Sequence, residues 1–375
     1  MQTNHWIWQY KNWPNFIFDA NTLISDLGTA SQLIGELEAI SRSICGEERL
    51  AALERVLADD AIETSAIEGE ILRRSSVRSS IRKRIGLPVE QNDWDDRADG
   101  LISMLFDARN TKTSPLTEER LLSWHAALFP TGYSGLKKIR VGKYRGEEEM
   151  QIVSGPVGRE IIHYIAPPRD GLNEEMVSFL DWVNSNDEHP PLLKAGVAHL
   201  WFIMIHPFDD GNGRVGRAVT DYIMSINHPS LMQVISFSKH FNLDRKGYYS
   251  VLEKAGKQGL NITDWLKWFL QTTISSMREA QWIVDRVVMK AQFWQLHKDT
   301  PLNKRQIKVV NRLLDTGEQF EGAMTTRKYA SMTKCSKVTA SRDLADLSEK
   351  GILQKTKAGG RSTGYDIRLT NTKDT

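Results

Sequence analysis

One short stretch of the sequence, HPFDDGNGRVGR at residues 206–217, holds the side chains most able to do chemistry. His206 stands before a proline, which disfavours helical backbone, so we expect its imidazole at the mouth of a loop. A neutral imidazole is the side chain best suited to accept a proton at pH 7. Asp210, four residues on, offers a hard oxygen ligand for Mg²⁺ carried by nucleotide phosphates. The stretch therefore predicts a general base and a metal ligand on one loop.

The same stretch predicts a binding site for phosphate. Gly211, Asn212 and Gly213 leave backbone N–H groups free at the start of a helix, where the helix dipole favours anions. Arg214 and Arg217 are three residues apart, so their guanidinium groups share a helix face and can fork onto phosphate oxygens. The sequence has no GxxxxGK[ST], which excludes a P-loop as the motif. A phosphate or nucleic-acid site without catalysis is the alternative that these residues leave open.

The elements around the loop must position it. Apolar residues recur at helical spacing from Leu192 to Ile205 and from Arg214 to Ile226, which predicts a helix, a loop and a second helix. Helical spacing also covers most of residues 31–129 and the segment from Lys246 to Leu270. The apolar pattern from Ile274 to Leu296 indicates a long connecting helix.

The loop sequence is similar to the Fic-family signature HxFx[DE]GNGRxxR at every defined position. The resemblance implies an AMP transferase that uses ATP and Mg²⁺. His206 would deprotonate a Ser, Thr or Tyr hydroxyl of a protein target, and Asp210 would hold Mg²⁺ on the α- and β-phosphates. Residues 211–213 would seat the β-phosphate. Arg214 would bind the γ-phosphate, with Arg217 in support.

A change of period before the loop, from Gly142 to Pro168, predicts a β-hairpin. Its second strand resembles the Fic flap, which would hold the target by adding a strand to an exposed edge. The alternative is a hairpin that only covers the core. The flap residues expected to contact a target are Ile161, Ile162, His163 and Tyr164.

Aromatic residues after the loop, Tyr248 and Tyr249 followed by Trp265 and Trp268, could line an adenine pocket, although such residues more often belong to a core. The resemblance favours Tyr249 as a nucleotide contact.

An inhibitory motif is predicted near the start of the chain. In TSAIEGE, Thr64, Glu68 and Gly69 match the family pattern [ST]xxxE[GN]. We expect the Glu68 carboxylate to pair with Arg214 and so leave ATP in an unproductive pose. A glutamate that closes a helix before a glycine is the ordinary alternative. In some relatives the equivalent glutamate positions water to remove AMP, so the same residue could serve the reverse reaction.

The C-terminal segment has the pattern of a winged helix-turn-helix, with three helical segments from Gln306 to Lys350 and two strands around a Gly-Gly turn. From Pro301 onward there are 15 Lys and Arg against 8 Asp and Glu. The predicted inward side chains are Val338, Leu344 and Leu347; those expected to face a groove are Lys337, Thr339, Ser341 and Arg342; Lys355, Lys357 and Arg361 fall in the wing. Binding of DNA and docking of a protein are both open.

Composition narrows the class of protein. The 375 residues include 40% hydrophobic and 26% charged residues with a net charge of +2, which is ordinary for globular domains. No apolar run approaches the roughly 18 residues that a membrane span needs, and the start lacks the order of a signal peptide, so we expect no membrane contact and a cytoplasmic location. Cys45 and Cys335 are far apart, which suggests neither a disulfide framework nor a zinc site.

The predicted fold class is mainly α: a Fic-type helical bundle with a β-hairpin flap, plus a C-terminal winged helix-turn-helix domain. The regions are an N-terminal region with the inhibitory helix (1–90), a Fic catalytic domain (91–272), a connecting helix (273–300) and the winged helix (301–375). We expect the aromatic-rich first 30 residues to pack against the body of the protein.

A DNA-binding regulator whose Fic domain only senses a nucleotide is the rival interpretation. The basic tail favours it, whereas the intact His206 opposes it, because sensing needs no general base. Homodimerisation is common in similar proteins and could move the inhibitory helix, but no heptad pattern in the sequence establishes it.

Overall fold

A computed structural model describes residues 5–43, 46–89, 93–110, 114–156, 158–186, 188–317, 320–356 and 363–368. The chain divides into two compact units, residues 1–280 and 281–375. Helices dominate the described residues, and each sheet among them has two strands. The predicted mainly α fold is therefore confirmed. Across the same ranges, no helix is both long and apolar enough to cross a bilayer.

The helices and strands follow one another in this order: α1 (Ala20–Ser43), α2 (Gly46–Ile67), α3 (Arg74–Arg84), α4 (Asp96–Arg109), α5 (Glu118–Leu128), β1 (Tyr133–Ser134), β2 (Lys137–Lys138), β3 (Gln151–Ser154), β4 (Ile161–Ile165), α6 (Leu172–Asn184), α7 (Pro191–Ile205), α8 (Asn212–Asn227), α9 (Phe237–Leu243), α10 (Arg245–Lys257), α11 (Thr263–Leu296), α12 (Lys304–Thr316), α13 (Thr326–Thr333), α14 (Lys337–Glu349), β5 (Leu353–Lys355) and β6 (Tyr365–Ile367).

Helix α7 lies at the centre of the first unit. Its residues are apolar on every face, and all of those from Leu192 to Ile205 except Ile203 are buried. A helix without a polar face is stable only inside a core, and Pro191 at its first position suits a helix start. Pro207 cannot continue the helix, so α7 ends where the candidate loop begins. The apolar sequence of α7 thus fixes the place of His206.

The aromatic start of the chain packs on the hairpin, as expected. The Trp8 Nε1 donates to the carbonyl of Ile165, at the end of β4, over 2.8 Å. The Trp6 ring meets the Tyr164 ring edge-on, with 5.5 Å between centroids. The N-terminal segment therefore supports the strand that carries the predicted flap residues.

A buried ionic cluster joins helices α2, α4 and α8. The Arg109 guanidinium pairs with Asp60 and lies 2.8 Å from Asp221 Oδ2. It also donates to the carbonyls of Met232 and Ile235. Because all three charged groups are buried, loss of one would leave the others without compensation. The cluster fixes α2 against α8, the two helices that meet at the candidate site.

The second unit has its own core, to which α12, α13, α14 and the β5–β6 hairpin contribute. Leu344 and Leu347 are fully buried in it, as predicted. Val338 is 73% exposed, so its predicted inward position was wrong. Six residues separate Val338 from Leu344, and that spacing places the two on different sides of an α-helix. Lys357 and Arg361 of the predicted wing lie outside the described residues.

One predicted helix is divided. The segment from Lys246 to Leu270 contains the end of α10 at Lys257 and the start of α11 at Thr263. Asn261 carries the break, because its Oδ1 accepts from the backbone N–H of Thr263 and its backbone bridges to Ile17. The predicted connecting helix from Ile274 onward is the later part of α11.

Candidate active site

The loop between α7 and α8 begins with an unusual backbone. His206 closes α7 in the left-handed conformation, with φ 52° and ψ 59°. A residue other than glycine pays roughly 1–2 kcal/mol for this conformation, and such residues gather at functional sites. The conformation turns the chain sharply away from α7, so the His206 side chain stands at the loop mouth.

The His206 ring is in the form that a general base requires. Its Nδ1 lies 3.2 Å from the carbonyl of Ile203, an acceptor, so Nδ1 carries the proton and Nε2 keeps its lone pair. Burial lowers the pKa of His206 to about 4, and the positive charge of Arg145 acts in the same direction. The imidazole is therefore neutral at pH 7.

Arg145, which the sequence analysis did not single out, holds this backbone in place. Its Nε donates to the carbonyl of His206 over 2.9 Å, and its own N–H donates to the carbonyl of Pro207 over 2.8 Å. Its Nη2 donates to Pro167, just beyond β4. Arg145 is 2% exposed and thus connects the base to the hairpin from inside the protein. No spacing rule points to it, because it lies 61 residues before His206.

Two side chains shape the rest of the loop. The Asn212 amide accepts from the N–H of Phe208 and donates to its carbonyl, both over 2.9 Å. The side chain of Asn212 is thus engaged within the loop, and its backbone N–H is what remains for a ligand. Gly211 precedes α8 with φ 81°, a conformation that glycine adopts without strain.

His125, on α5, is a further residue that sequence reasoning missed. Its Nδ1 accepts from the N–H of Gly142 over 3.0 Å, so its Nε2 carries the proton and donates to the carbonyl of Asp210 over 3.2 Å. The ring stacks on Phe208 with 4.2 Å between centroids. Burial lowers the pKa of His125 to about 4, which keeps this bond pattern at neutral pH. His125 therefore sets the backbone of the predicted metal ligand.

Asp210 presents its carboxylate beside the start of α8. One oxygen accepts from the N–H of Gly211 over 2.6 Å, and the other accepts from the Ser134 hydroxyl. Within the described residues no cluster of three or more His, Cys, Asp or Glu side chains could hold a metal by itself. A single carboxylate with a neighbouring hydroxyl suits a Mg²⁺ ion that arrives bound to phosphates and therefore needs few ligands from the protein.

The predicted inhibitory motif reaches the start of α8. A Cβ atom added at Gly213 would lie 2.1 Å from Oε1 of Glu68, so the carboxylate lies directly against the first turn of α8. There it is favoured by the helix dipole, as any anion would be. The same oxygen accepts from Arg217 Nη2 over 2.7 Å, and Arg217 also donates to the Thr64 hydroxyl and carbonyl. Glu68 thus takes the position predicted for a phosphate.

The predicted pair of Glu68 with Arg214 was wrong. Arg214 donates instead to Glu70, with 2.8 Å between Nη1 and Oε2, and its guanidinium lies over the Phe129 ring. The reason lies in how α2 ends. The N–H of Gly69 donates to Ala66 and the N–H of Glu70 returns to Ser65, which is a Schellman turn with Gly69 at φ 82°.

This turn directs two carboxylates, Glu68 and Glu70, at two arginines that are three residues apart. Both guanidinium groups are buried, and each keeps a buried nitrogen without a hydrogen-bond partner, Nε of Arg214 and Nη1 of Arg217. The arginines therefore retain donors that their carboxylates do not satisfy.

The hairpin has one face toward the body and one toward solvent. Strands β3 and β4 pair antiparallel with an irregularity at Ile152 and Val153. Ile161 and Ile162 are exposed, while the Tyr164 hydroxyl donates to the carbonyl of Met204 from a buried position. Any contact of Tyr164 with a target would therefore come from its backbone.

His163 lies between the two faces of the hairpin, with Ser154 Oγ 2.6 Å and Glu253 Oε2 2.9 Å from its ring nitrogens. A groove of about 410 Å³ runs along the hairpin toward the loop, and its lining includes Lys137, Arg140, Arg145, Glu160, Ile162 and Asp209.

Tyr249, a residue of α10, contacts the end of α2. Its hydroxyl donates to the carbonyl of Ile67 over 3.1 Å, and its ring is 42% exposed under the Arg245 guanidinium. The exposed ring could stack with a base, so its predicted contact with a nucleotide stays a prediction.

Residues 115–224 match the model of the Fic/DOC family, a segment that includes the whole loop from His206 to Arg217. The chain is a Fic family protein. The inhibitory motif lies outside the Fic match, since residues 6–87 match a second model, described as a domain of unknown function, DUF4172. The Fic domain thus contains the predicted base and the predicted phosphate loop, and the preceding region contains the two carboxylates.

Relatives of this Fic protein include two proteins named as adenylyltransferases. It is 25% identical to "Protein adenylyltransferase Fic" of Nematostella vectensis over 198 residues, 51% of this chain and 42% of that protein. It is 38% identical to "Protein adenylyltransferase fic-1" of Caenorhabditis briggsae over 53 residues, 14% of this chain and 10% of that protein. The matched region covers less than half the length of each relative.

Solved structures share the fold. A Fic family protein from Desulfovibrio desulfuricans G20 superposes with a TM-score of 0.53 at 20% identity, over 96% of this chain and 98% of that chain. Residues 134–508 of Fic-1 from C. elegans give 0.50 at 18% identity, over 72% and 76%. At these identities the likeness shows the Fic fold alone.

The Fic fold brings most of the sequence-predicted residues together. The loop residues from His206 to Arg217, the inhibitory motif and Tyr249 meet around the start of α8. The described hairpin joins them through Arg145. Three residues that contribute to this arrangement, His125, Arg145 and Glu70, were absent from the sequence-based set.

Proposed function

We propose that this Fic protein is a protein adenylyltransferase, which transfers AMP from ATP to a Ser, Thr or Tyr hydroxyl of a protein target. The observation that carries the proposal is a neutral His206, with Nε2 free, on the same loop as an anion-binding helix start and two buried arginines. A base is needed only if a bond is made, whereas binding alone needs the anion site without it.

The reaction would proceed in line at the α-phosphorus. His206 Nε2 takes the proton of the target hydroxyl as its oxygen attacks the α-phosphorus. The bond from that phosphorus to the α–β bridging oxygen breaks, and pyrophosphate leaves. The first-turn N–H groups of α8, with Arg214 and Arg217, would hold the β- and γ-phosphates and neutralise the charge on the leaving group.

Asp210 is the residue that would hold Mg²⁺, with Ser134 beside it. When bound, the ion would neutralise charge on the α- and β-phosphates. Ser134 and His125 would orient the Asp210 carboxylate and backbone from opposite sides.

The hairpin would hold the target. An extended segment could pair with an exposed edge of the β3–β4 sheet and place its hydroxyl near His206. Lysine, arginine and carboxylate side chains line the groove, which suits a target segment with charges of both signs.

Glu68 and Glu70 would inhibit the transfer. Each occupies an arginine that should hold phosphate, and Glu68 also covers the start of α8. ATP would then bind weakly or with its α-phosphate out of line. Glu68 also lies near enough to His206 to raise its pKa, so a water positioned between them could serve removal of AMP.

A nucleotide-sensing DNA-binding regulator is the competing function. The experiment that separates the two uses ATP labelled with ³²P at the α- or the γ-position, with Mg²⁺ and a target lysate. The proteins are wild type, Glu68→Gly, Glu68→Gly with Glu70→Gln, and Glu68→Gly with His206→Ala.

We expect α-label on protein to rise from wild type to Glu68→Gly, to rise again with Glu70→Gln, and to vanish with His206→Ala. Label from the γ-position that rises in Glu68→Gly and vanishes with His206→Ala would indicate phosphoryl transfer by this protein and contradict AMP transfer; γ-label that is the same in every form comes from kinases of the lysate. Absence of label from every form, with ATP binding intact by calorimetry, would favour the sensor.

A further inference from the structure

The second unit contains a helix-turn-helix with an unusual residue in its turn. Helices α13 and α14 are joined by Lys334, Cys335 and Ser336. Lys334 adopts φ 52°, a conformation that favours glycine or asparagine. Ser336 caps α14, since its Oγ accepts from the N–H of Thr339 over 3.1 Å. A lysine in a glycine-favouring position costs conformational energy, which suggests that its exposed charge has a use.

One face of α14 is exposed, and its only acidic side chain is Glu349 at the far end of the helix. Its other members recur at intervals of one, three and four residues, which places them together on the helix surface. They are Lys337, Val338, Ser341, Arg342 and Ala345, and all of them are exposed. Among the described residues neither Lys337 nor Arg342 forms an ion pair. The two positive charges at the start and in the middle of this face are therefore unneutralised.

The two carboxylates in the middle of α14, Asp343 and Asp346, lie away from the exposed face. Asp343 is 6% exposed and accepts from Arg305 Nε and the Tyr329 hydroxyl, each over 2.9 Å. Asp346 accepts from Lys350 over 2.6 Å. These bonds keep both negative charges off the exposed face. Only Glu349, at the far end of the helix, is acidic and exposed.

We propose that this face of α14 binds duplex DNA in the major groove, with Lys334 on the phosphates. A helix of 13 residues is about 20 Å long, and the groove is about 12 Å wide, which admits a helix with short side chains. Lys337 and Arg342 can reach phosphates or guanine, and the methyl groups of Val338 suit thymine. The major groove of duplex RNA is too narrow for such a helix.

A protein partner fits this face less well. Binding energy between proteins concentrates in tryptophan, tyrosine and arginine anchors near the centre of an interface, and Arg342 is the one residue of these types on the face. The face has no aromatic residue and no leucine, and Ser341 and Ala345 at its middle are small. A cationic face without an apolar anchor instead has the character of a surface for a polyanion.

The test measures fluorescence anisotropy of a fluorescein-labelled, mixed-sequence 24-base-pair DNA duplex with the full chain at 50 and 200 mM KCl. We expect binding at 50 mM that weakens about 40-fold at 200 mM, the effect of roughly three phosphate contacts. Lys337→Glu with Arg342→Glu should weaken binding at least about tenfold. Lys337→Arg with Arg342→Lys should bind nearly as wild type.

The matched control is Lys246→Glu with Lys267→Glu, the same change of charge on exposed residues of the first unit. Thermal melts verify that every variant folds. The proposal is overturned if wild type does not bind the duplex at 50 mM KCl, or if the control loses as much affinity as the α14 variant. Equal or tighter binding of the same single strand would also overturn it, because a single strand offers no groove. None of these results depends on AMP transfer.

Discussion

At the residue scale, the proposed chemistry depends on His206 being neutral with a free Nε2. Burial and the Arg145 charge lower its pKa to about 4, whereas an ordinary histidine, with a pKa near 6.5, is about three-quarters protonated at pH 6. We therefore expect the His206 ring to stay neutral at pH 6. Its ¹³C–¹H ring resonance, assigned by its loss in His206→Ala, should show no titration between pH 8 and 6. A midpoint above pH 6 would contradict the described ring environment.

Arg145 is predicted to be a positioning residue for that base. Arg145→Met removes two hydrogen bonds that hold the 206–207 backbone and the Pro167 carbonyl, so kcat should fall by about 10–100-fold in the Glu68→Gly background. The KM for ATP should change little, because Arg145 lies on the hairpin side of the loop. The pKa of His206 should rise, because a nearby positive charge is lost.

Arg145→Lys distinguishes this role from a merely structural one. It keeps the charge but not the fork of hydrogen bonds, so the pKa of His206 should stay low while kcat recovers only in part. The same loss of kcat in both variants, with no change in the His206 resonance of Arg145→Met, would assign Arg145 to folding alone.

At the scale of elements, the turn that ends α2 presents the two carboxylates that we propose to be inhibitory. Glu70→Gln should therefore strengthen binding of α,β-methylene-ATP, an analogue that cannot transfer AMP, by about fivefold. The reason is that no carboxylate then neutralises the charge that Arg214 offers to a phosphate. Glu68→Gln should act similarly through Arg217, and the double variant should bind tighter than either. Titration calorimetry measures all three.

Glu63→Gln is the matched control for these affinities. It removes the same charge from α2, the helix that this turn ends, and glutamine can still accept from Asn242. If Glu63→Gln strengthens binding as much as Glu70→Gln, general electrostatics explains the effect. No gain from Glu70→Gln would limit the inhibitory role to Glu68.

The buried ionic cluster that attaches α2 to the Fic domain is also predicted to contribute to the free energy of unfolding. Arg109→Met leaves Asp60 and Asp221 buried without a cation, which should cost about 3–5 kcal/mol in the free energy of unfolding. Arg55→Met, which removes an exposed pair with Asp59 on α2, should cost less than about 1 kcal/mol. Urea unfolding followed by tryptophan fluorescence compares them, and equal losses would mean that the cluster contributes little.

At the scale of the whole molecule, the sequence could predict what is local. His206, Asp210 and the two arginines lie within residues 206–217, on the loop after α7 and the start of α8, so their types and spacing were enough to expect a base beside an anion site. The helical class followed from apolar periodicity, which depends on neighbours three and four residues apart.

Long-range partners could not be predicted in the same way. Arg145 and His125 reach the loop from other elements, and no local pattern marks an arginine that bonds to a distant carbonyl. The predicted pair of Glu68 with Arg214 was wrong for the same reason, since Arg214 pairs with Glu70 and Arg217 with Glu68. Two carboxylates two residues apart face two arginines three residues apart, and only the Schellman turn at Gly69 determines which pairs form.

The buried histidines of the first unit predict how its stability depends on pH. Burial lowers the pKa of His125 and His206 to about 4 and that of His199 to about 3. Below pH 6.5, which is the ordinary pKa of a histidine in an unfolded chain, these side chains bind protons in the unfolded chain but not in the folded protein. Stability should therefore fall on acidification from pH 6.5 toward 5, by up to about 1.4 kcal/mol per pH unit for each histidine.

Carboxylates with lowered pKa, such as Asp99, lose their contribution only below about pH 4. Burial raises the pKa of Asp221 to about 8, so Asp221 stabilises the folded protein on acidification and offsets about one of the three histidines above pH 5. His199→Gln removes one of the three titrations and can keep bonds to Thr220 and Tyr248. Denaturation followed by tryptophan fluorescence reports mainly on the first unit, because all tryptophans except Trp282 and Trp294 lie in it. With Asp221 offsetting one histidine, His199→Gln should lose about half as much stability as wild type between pH 6.5 and 5; an identical loss would show that His199 accepts a proton without unfolding.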